Sequence, residues 1–451
     1  MEYLKLGLPL SLVALLSACY SGTSNNPNQP AGWIWQSGSS QSGAYGVYGT
    51  PAATPGARYI AVSWLDKQGN FWLFGGEGNA ASGNSGLLND LWQYNPTNGV
   101  WTWMSGSNNS NAYAVYGTLG ESALANIPGA RLGAVSWTDN AGNLWLFGGY
   151  GNATSGASGA LNDLWQYNPN VGLWTWVSGG GTTNAPGVYG SLGVPAVDNI
   201  PGARLGSVGW CDSVGNLWLF GGSTDISTAQ VHNDLWYYSP SSKLWTWMSG
   251  ESTLNSPGKY GIQSQESSTN QPGARIDSVS WLDQQGNLWL FGGSGEDAAG
   301  TRGLLNDLWR YNSTSKLWTW MSGSNFKNSY GTYGTLGVAS PNSIPGAREH
   351  RVPIAWADSG GNLWMFGGDG YGASTMGYLN DLWSYNPNNN QWMWVNGSSE
   401  SNAYGTYNGA TNPGARKDGV GWIDTSGHLW IFGGYGNGST TTGILNDLWK
   451  L

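Results

Sequence analysis

The chain has 451 residues, of which only 10% are charged, and its net charge is -9 at neutral pH. That acidic balance argues against nucleic acid as a partner, since binding it needs basic surface. Two cysteines in a chain with 73 Gly and 30 Trp exclude a disulfide scaffold, so stability has to come from packing.

Residues 1–18 read as an export signal, with Lys5, an apolar run from Leu6 to Leu16 and then small residues. The run falls well short of the ~20 residues that span a bilayer. Leu16-Ser17-Ala18-Cys19 resembles a lipobox, which implies cleavage before Cys19 and its acylation; an ordinary secretory signal with an incidental Cys is the alternative. Tyr20 is not the Asp associated with inner-membrane retention, so the resemblance implies outer-membrane or surface attachment. Residues 19–32 are then a lipidated Cys and a polar, Pro-bearing tether. Contact with the membrane is expected through that lipid only.

From residue 33 to 451 one unit recurs six times. Its tetrad Pro-Gly-Ala-Arg ends at Arg58, Arg131, Arg204, Arg275, Arg348 and Arg416, at intervals of 73, 73, 71, 73 and 68 residues. Each unit has four strand-length runs: a small-residue run ending Ser/Gly-Trp, then Asn-Leu-Trp-Leu-Phe-Gly-Gly, then Asn-Asp-Leu-Trp-x-Tyr, then Trp-Thr-Trp, with local variations. Four antiparallel strands per repeat, without a helical stripe, predict a propeller blade. Five Trp in each of six blades account for all 30. The last repeat stops at Trp449-Lys450-Leu451, before its fourth strand, and Trp33-Ile34-Trp35 supplies the missing pattern. The N-terminal strand is therefore expected to complete the C-terminal blade. Small residues in the first run and Trp in the last match a blade whose neighbours diverge outward, with each Trp-x-Trp pair filling one wedge.

The Gly-Gly pairs at Gly75-Gly76, Gly148-Gly149, Gly221-Gly222, Gly292-Gly293, Gly367-Gly368 and Gly433-Gly434, the aromatic in the third strand and the Trp in the fourth resemble the kelch motif. The resemblance implies an all-β, six-bladed kelch propeller. Such propellers host enzymes, actin binders and adaptors alike, so it implies no single function. The likeness to the propeller of galactose oxidase is one of fold only. That family needs two His, a Tyr and a Cys-crosslinked Tyr around copper, whereas this chain has His232, His350, His428 and, beside a short turn, Cys211. No cofactor or metal is expected.

With the four runs of a repeat lettered a to d in chain order, the a-b and c-d turns are short, while the b-c loops and the d-to-a connections are long. This puts the spare chain, and with it a binding face, at one end. The six tetrad Arg and the six Asp of the Asn-Asp-Leu-Trp runs (Asp90, Asp163, Asp234, Asp307, Asp381 and Asp447) meet at that end. They form either a structural Arg-carboxylate clasp in each blade or a ring for an anionic ligand. Loop tyrosines recur at Tyr113, Tyr116, Tyr189, Tyr260, Tyr330, Tyr333, Tyr404 and Tyr407. Their regularity favours a structural role over sugar stacking.

Departures from the repeat mark the candidate site. Two residues past the tetrad stand Ile60, Gly133 and Gly206, then Asp277, His350 and Asp418; repeat five also holds two extra residues before its Trp356. This reads as a bulge that re-aims side chains. Asp277, Glu349, His350, Arg351, Lys417 and Asp418, with Asp369 within reach, are expected on one side of the axis. They either bind or work on a sugar or form a solvated rim of local ion pairs. Three functions follow as expectations. The first is a lipid-anchored envelope module that binds a glycan or an envelope protein. The second is a sugar-modifying enzyme resembling the six-bladed kelch sialate mutarotases of the periplasm, where Arg, Glu and His groups exchange sugar-ring protons. The third is a purely structural surface protein.

Overall fold

The computed structural model describes residues 32–451 apart from 82, 155, 157, 228 and 410. The expected export segment, Cys19 and the tether up to residue 31 lie outside the described residues.

The described chain is all β, without a helix, and its repeats build antiparallel sheets consistent with a multi-bladed β-propeller. Repeat three shows the basic unit, Val208–Cys211, Leu217–Phe220, Leu235–Ser239 and Leu244–Ser249, paired in chain order. Repeat two lengthens its middle strands to Leu144–Gly151 and Gly159–Asn168. At the other end of the chain, Ile34–Ser37 pairs antiparallel with Thr442–Lys450, with Ile34 opposite Lys450 and Trp35 opposite Trp449. Trp33 is buried against Phe366, and Trp35 meets the Tyr407 ring edge-on.

The Gly-Gly pair has a physical cause. Gly148 and Gly149 both have left-handed φ (65° and 95°), and a Cβ on Gly148 would lie 2.8 Å from the Arg204 carbonyl of the next repeat. The Gly149 amide donates to that same carbonyl at 2.9 Å, so the pair is where adjacent sheets touch.

Packing between sheets is aromatic. Trp174 is buried in a cluster with Trp64, Trp72, Trp165 and Tyr167, and Trp176 packs on it from the same face, as the alternation of a strand requires. First-strand indoles reach across sheets: Trp64 Nε1 donates to the Trp145 carbonyl, Trp137 to Trp218, Trp210 to Trp281, Trp281 to Trp364 and Trp422 to Trp64. The short a-b turns share one device. In the second, Asp139 accepts the amides of Ala141 and Asn143 and the Trp145 indole.

The long connections differ from expectation. Those entering repeats two to five run outward and lie along the fourth strand of the repeat they enter. The Gly120 amide donates to the Trp176 carbonyl, Gly193 to Trp247, Ser264 to Trp320 and Gly337 to Trp394. Ser122–Ala123 pairs with Thr175 and Trp174. Much of the spare chain thus covers sheet edges, which would otherwise offer open backbone groups.

Candidate functional site

The first strand of most repeats breaks two residues after the tetrad Arg, at a residue in the left-handed region: Ile60, Gly133, Gly206, Asp277 and Asp418 have φ between 55° and 66°. Gly, Asp and Asn tolerate this region; a β-branched Ile does not do so readily. Ile60 is nonetheless fully buried, packed with Leu132, Leu205 and Ala203. Backbone bonds link these positions from repeat to repeat. The Gly133 amide donates to Ile60, Gly206 to Gly133, Asp277 to Gly206, His350 to Asp277, and Ile60 to Asp418. In repeat five the two extra residues change the pattern, and the Arg351 amide donates instead to the Asp418 carboxylate at 2.8 Å. Further along the axis, first-strand residues of all six repeats, among them Ser63, Ser136, Gly209, Ser280, Ala355 and Gly421, wall a cavity of about 170 Å³.

The six tetrad arginines are buried, and each makes the same set of bonds. Arg131 Nη1 and Nη2 pair with Asp163 Oδ1 and Oδ2 at 2.7 and 2.8 Å, Nη1 also donates to the Gly148 carbonyl, and Nε donates to that of Gly129. Equivalent pairs join Arg58 to Asp90, Arg204 to Asp234, Arg275 to Asp307, Arg348 to Asp381 and Arg416 to Asp447. One tyrosine per repeat completes the clasp. Tyr48, Tyr116, Tyr189, Tyr260, Tyr333 and Tyr407 each donate to the same Asp Oδ2 that accepts the third-strand indole. Tyr113, Tyr330 and Tyr404 are exposed instead.

Two residues past the tetrad, repeats one to three present Ile60, Gly133 and Gly206, with Leu132 and Leu205 packed beside Ile60, whereas repeats four to six present Asp277, His350 and Asp418. Asp277 is 2% exposed and pairs with Arg351 Nε at 3.6 Å. Asp418 is equally buried, and Lys417 Nζ meets Asp369 Oδ2 at 2.8 Å while standing 5.6 Å from the centre of the Tyr378 ring. Glu349 is half-buried in the register position opposite Asp369. Beside them run three tyrosines edge to face, Tyr378 on Tyr435 at 5.7 Å and Tyr435 on Tyr59 at 5.9 Å; Tyr59 donates to Glu77.

His350 stands apart from this set. It is fully buried, its Nε2 lies 2.9 Å from the Gly367 carbonyl, and a Cβ on Gly368 would collide with its ring. Ser207 and Ser278 donate to the matching carbonyls of Gly221 and Gly292 in repeats three and four, so the imidazole fills the place of a structural hydroxyl. Burial, reinforced by Arg348, pushes its pKa down to about 3, which keeps it neutral.

The carboxyls shift the other way. Burial, then Glu349, raises Asp277 well above the carboxylate range, and Arg351 does not cancel this. Burial also raises Glu349 and Asp418. For Lys417 burial opposes the charge, but Asp418 and Asp369 outweigh it and its pKa rises. A carboxyl whose folded pKa lies above its unfolded value near 4 stabilises the fold below pH ~4 and loses that contribution as pH rises through the folded value. Asp277→Asn keeps a side chain that tolerates φ +60° and removes the buried charge. The variant is expected to melt above the parent at pH 8 and level with it near pH 4. Thermal melts at both pH values test this, and a lower melting temperature at pH 8 would contradict it.

Sequence reasoning compared the repeats two residues past the tetrad and picked out Glu349 and Lys417, directly after it, without comparing that position across the repeats. That position reads Tyr59, Leu132, Leu205, Ile276, Glu349 and Lys417, apolar or aromatic in repeats one to four and charged in repeats five and six. It also passed over Arg302, whose Nη1 and Nη2 are buried with no hydrogen-bond partner among the described residues. Burial lowers the Arg302 pKa against the pull of Glu296, Asp277 and Glu349. Among the described residues, no three His, Cys, Asp or Glu side chains stand together as a metal site. His428 lies in a short turn with Nδ1 3.0 Å from Asp424.

No protein-family model matches the chain, and no curated protein matches it either.

Proposed function

We propose that the protein is a six-bladed kelch-type propeller anchored in the cell envelope through Cys19, and that it binds a glycan at the charged half of its axis. Support for the blade count and for closure comes from the pairing of Ile34–Ser37 with the last strand and from the backbone bond between Ile60 and Asp418, which links the first repeat to the sixth. The observation that carries the function is the one-sided axis. Asp277, Glu349, Arg351, Asp369, Lys417 and Asp418 stand beside the Tyr378–Tyr435–Tyr59 row, while Ile60, Leu132 and Leu205 form an apolar cluster in the first three repeats. Donors, acceptors and aromatic faces side by side suit a ligand rich in hydroxyl groups.

Binding is the better reading because the one imidazole near the site is buried, neutral and engaged with a backbone carbonyl. A second reading, a sugar-modifying enzyme, is favoured by the neighbouring carboxyls of Asp277 and Glu349, whose raised pKa values suit proton transfer. A chain from residue 32 onward should bind on a glycan array, and a variant with Glu349→Gln, Arg351→Ala and Lys417→Ala should not. Binding unchanged in the variant would remove the axial site from consideration. A bound sugar whose anomers exchange faster than in buffer would favour the second reading. For the anchor, Cys19→Ser in the full chain should move the protein from the membrane fraction to the soluble one; unchanged partitioning would count against lipidation.

A further inference from the structure

The residue before the Asn-Asp pair of the third strand is Leu88, Leu161, Leu305, Leu379 and Leu445 in five repeats, and all five are fully buried. In repeat three it is His232, which remains 93% buried by its 7% exposure. The surrounding ladder also departs from the other repeats. Where repeat two extends its middle strands over Leu144–Gly151 and Gly159–Asn168, repeat three has only the bridges of Ser223 to Leu205 and Val231. The shortened ladder leaves a cavity of about 520 Å³, lined by Tyr189, Thr224, Asp225, Gln230, His232 and Leu254 among others.

One side of the imidazole is accounted for. Nδ1 lies 3.5 Å from the Tyr189 hydroxyl, which donates its own proton to Asp234 at 2.7 Å, so Nδ1 can meet that oxygen only as a donor. Nε2 is then left as an acceptor, and it is buried without a hydrogen-bond partner among the described residues. Burial and Arg204 push the ring's pKa down to about 4, so it is uncharged at neutral pH. A buried, unpaired ring nitrogen costs stability that the leucine of the sister repeats does not. The clasp does not need it either, since Arg204, Tyr189 and Asp234 bond as in every other repeat.

We infer that this cavity is a second binding site, taking one neutral sugar unit, with the His232 ring in its wall and a turn of that ring on binding bringing the buried Nε2 to accept a hydroxyl proton. The size falls within the ~300–1,000 Å³ of small-ligand pockets. Gln230 accepts from Thr224 through its Oε1, which leaves its amide nitrogen to donate, and Pro186, Ala203 and Leu254 offer an apolar wall. Among the described residues no unpaired basic side chain lines the cavity, and Asp225 adds a negative charge, so an anionic sugar or a phosphate is disfavoured. The inference does not depend on the axial site.

The test uses the methyl glycosides of glucose, galactose, mannose and N-acetylglucosamine, with saturation-transfer NMR and calorimetry on the chain from residue 32. His232→Leu installs the residue that five repeats already hold and should melt no lower than the parent. Leu254→Trp fills the cavity from the loop side and carries the test if the first variant misfolds. At least one glycoside should bind the parent and the axial triple variant alike, and about tenfold or more weakly to both pocket variants. Equal affinity in His232→Leu, or no glycoside binding at all, would overturn the inference. Binding lost in the axial variant yet kept in both pocket variants would overturn it too, while leaving the axial reading in place.

Discussion

A chain that begins at Ser37 is expected to lose its cooperative fold, whereas a chain that begins at Gly32 should melt like the full protein. The difference is the strand segment carrying Trp33, Ile34 and Trp35. Trp33 is 2% exposed against Phe366, Trp35 packs on Tyr407, and the Thr411 hydroxyl reaches the Trp33 carbonyl. Losing the buried Trp33 costs roughly 3–5 kcal/mol and losing the partly buried Trp35 adds to it, a sum that enters the ~5–15 kcal/mol that stabilises an ordinary domain. The deletion also strips the partner from Thr442–Lys450 and leaves Leu448 and Trp449 beside an open edge, which is a route to association between chains. Near-ultraviolet circular dichroism and light scattering during a thermal ramp would read both effects. Equal melting of the two chains would mean that the last sheet stands without the first strand, and the proposed ring closure would lose its main support.

Much of the architecture was legible because each repeat repeats the same chemistry. An Arg placed 30 to 33 residues before an Asp, six times over, limits the outcomes to a pair or a ring, and the bond lengths describe a pair in every repeat. The strand runs were legible for the same reason, since Trp-rich segments of four to six residues have few other uses. What escaped was set by main chain and not by side-chain type. The backbone bonds linking residues 60, 133, 206, 277, 350 and 418 have no sequence signature beyond tolerance of positive φ, and Ile60 lacks even that. The outward path of the long connections depends on which edge is left open, a property of the assembled sheets. His350 stood out as a polar departure beside Glu349 and Arg351, yet its ring replaces the hydroxyls of Ser207 and Ser278 and turns inward. The departure at His232 was visible in the repeat itself, five leucines and one histidine, and only the cavity beside it gives that a meaning.

Removing one member of a clasp should be the most damaging point substitution in any sheet. In repeat two, Arg131 ties the first strand to Asp163 of the third, Trp165 donates to the same carboxylate from within its own strand, and Tyr116 donates from the connection that enters the repeat. Arg131→Met would leave a fully buried carboxylate with two neutral donors and no countercharge, a loss of about 3–5 kcal/mol. Asp163→Leu would strand a buried guanidinium and cut the Tyr116 and Trp165 bonds together, with a similar or larger cost. The double substitution removes both charges and should cost less than the sum of the single ones, because it leaves no unpaired ion. Urea denaturation of the parent, the two single variants and the double variant measures the coupling directly. Additive losses would mean that the strands are held by packing and that the pair contributes no net attraction. The pH dependence gives an independent check in repeat three. Burial works against the charge of Asp234, but Arg204 outweighs it and holds the carboxyl well below its ordinary range. A depressed carboxylate stabilises the fold above its unfolded pKa near 4 and loses that contribution only as pH falls toward the folded value. Arg204→Met should therefore show its full deficit at pH 7 and a smaller one as the solution is made strongly acidic, since protonation of Asp234 weakens the parent clasp by the same route. A deficit that stays constant down to pH 2 would show that the guanidinium acts through its bonds to the Gly202 and Gly221 carbonyls and not through the carboxylate.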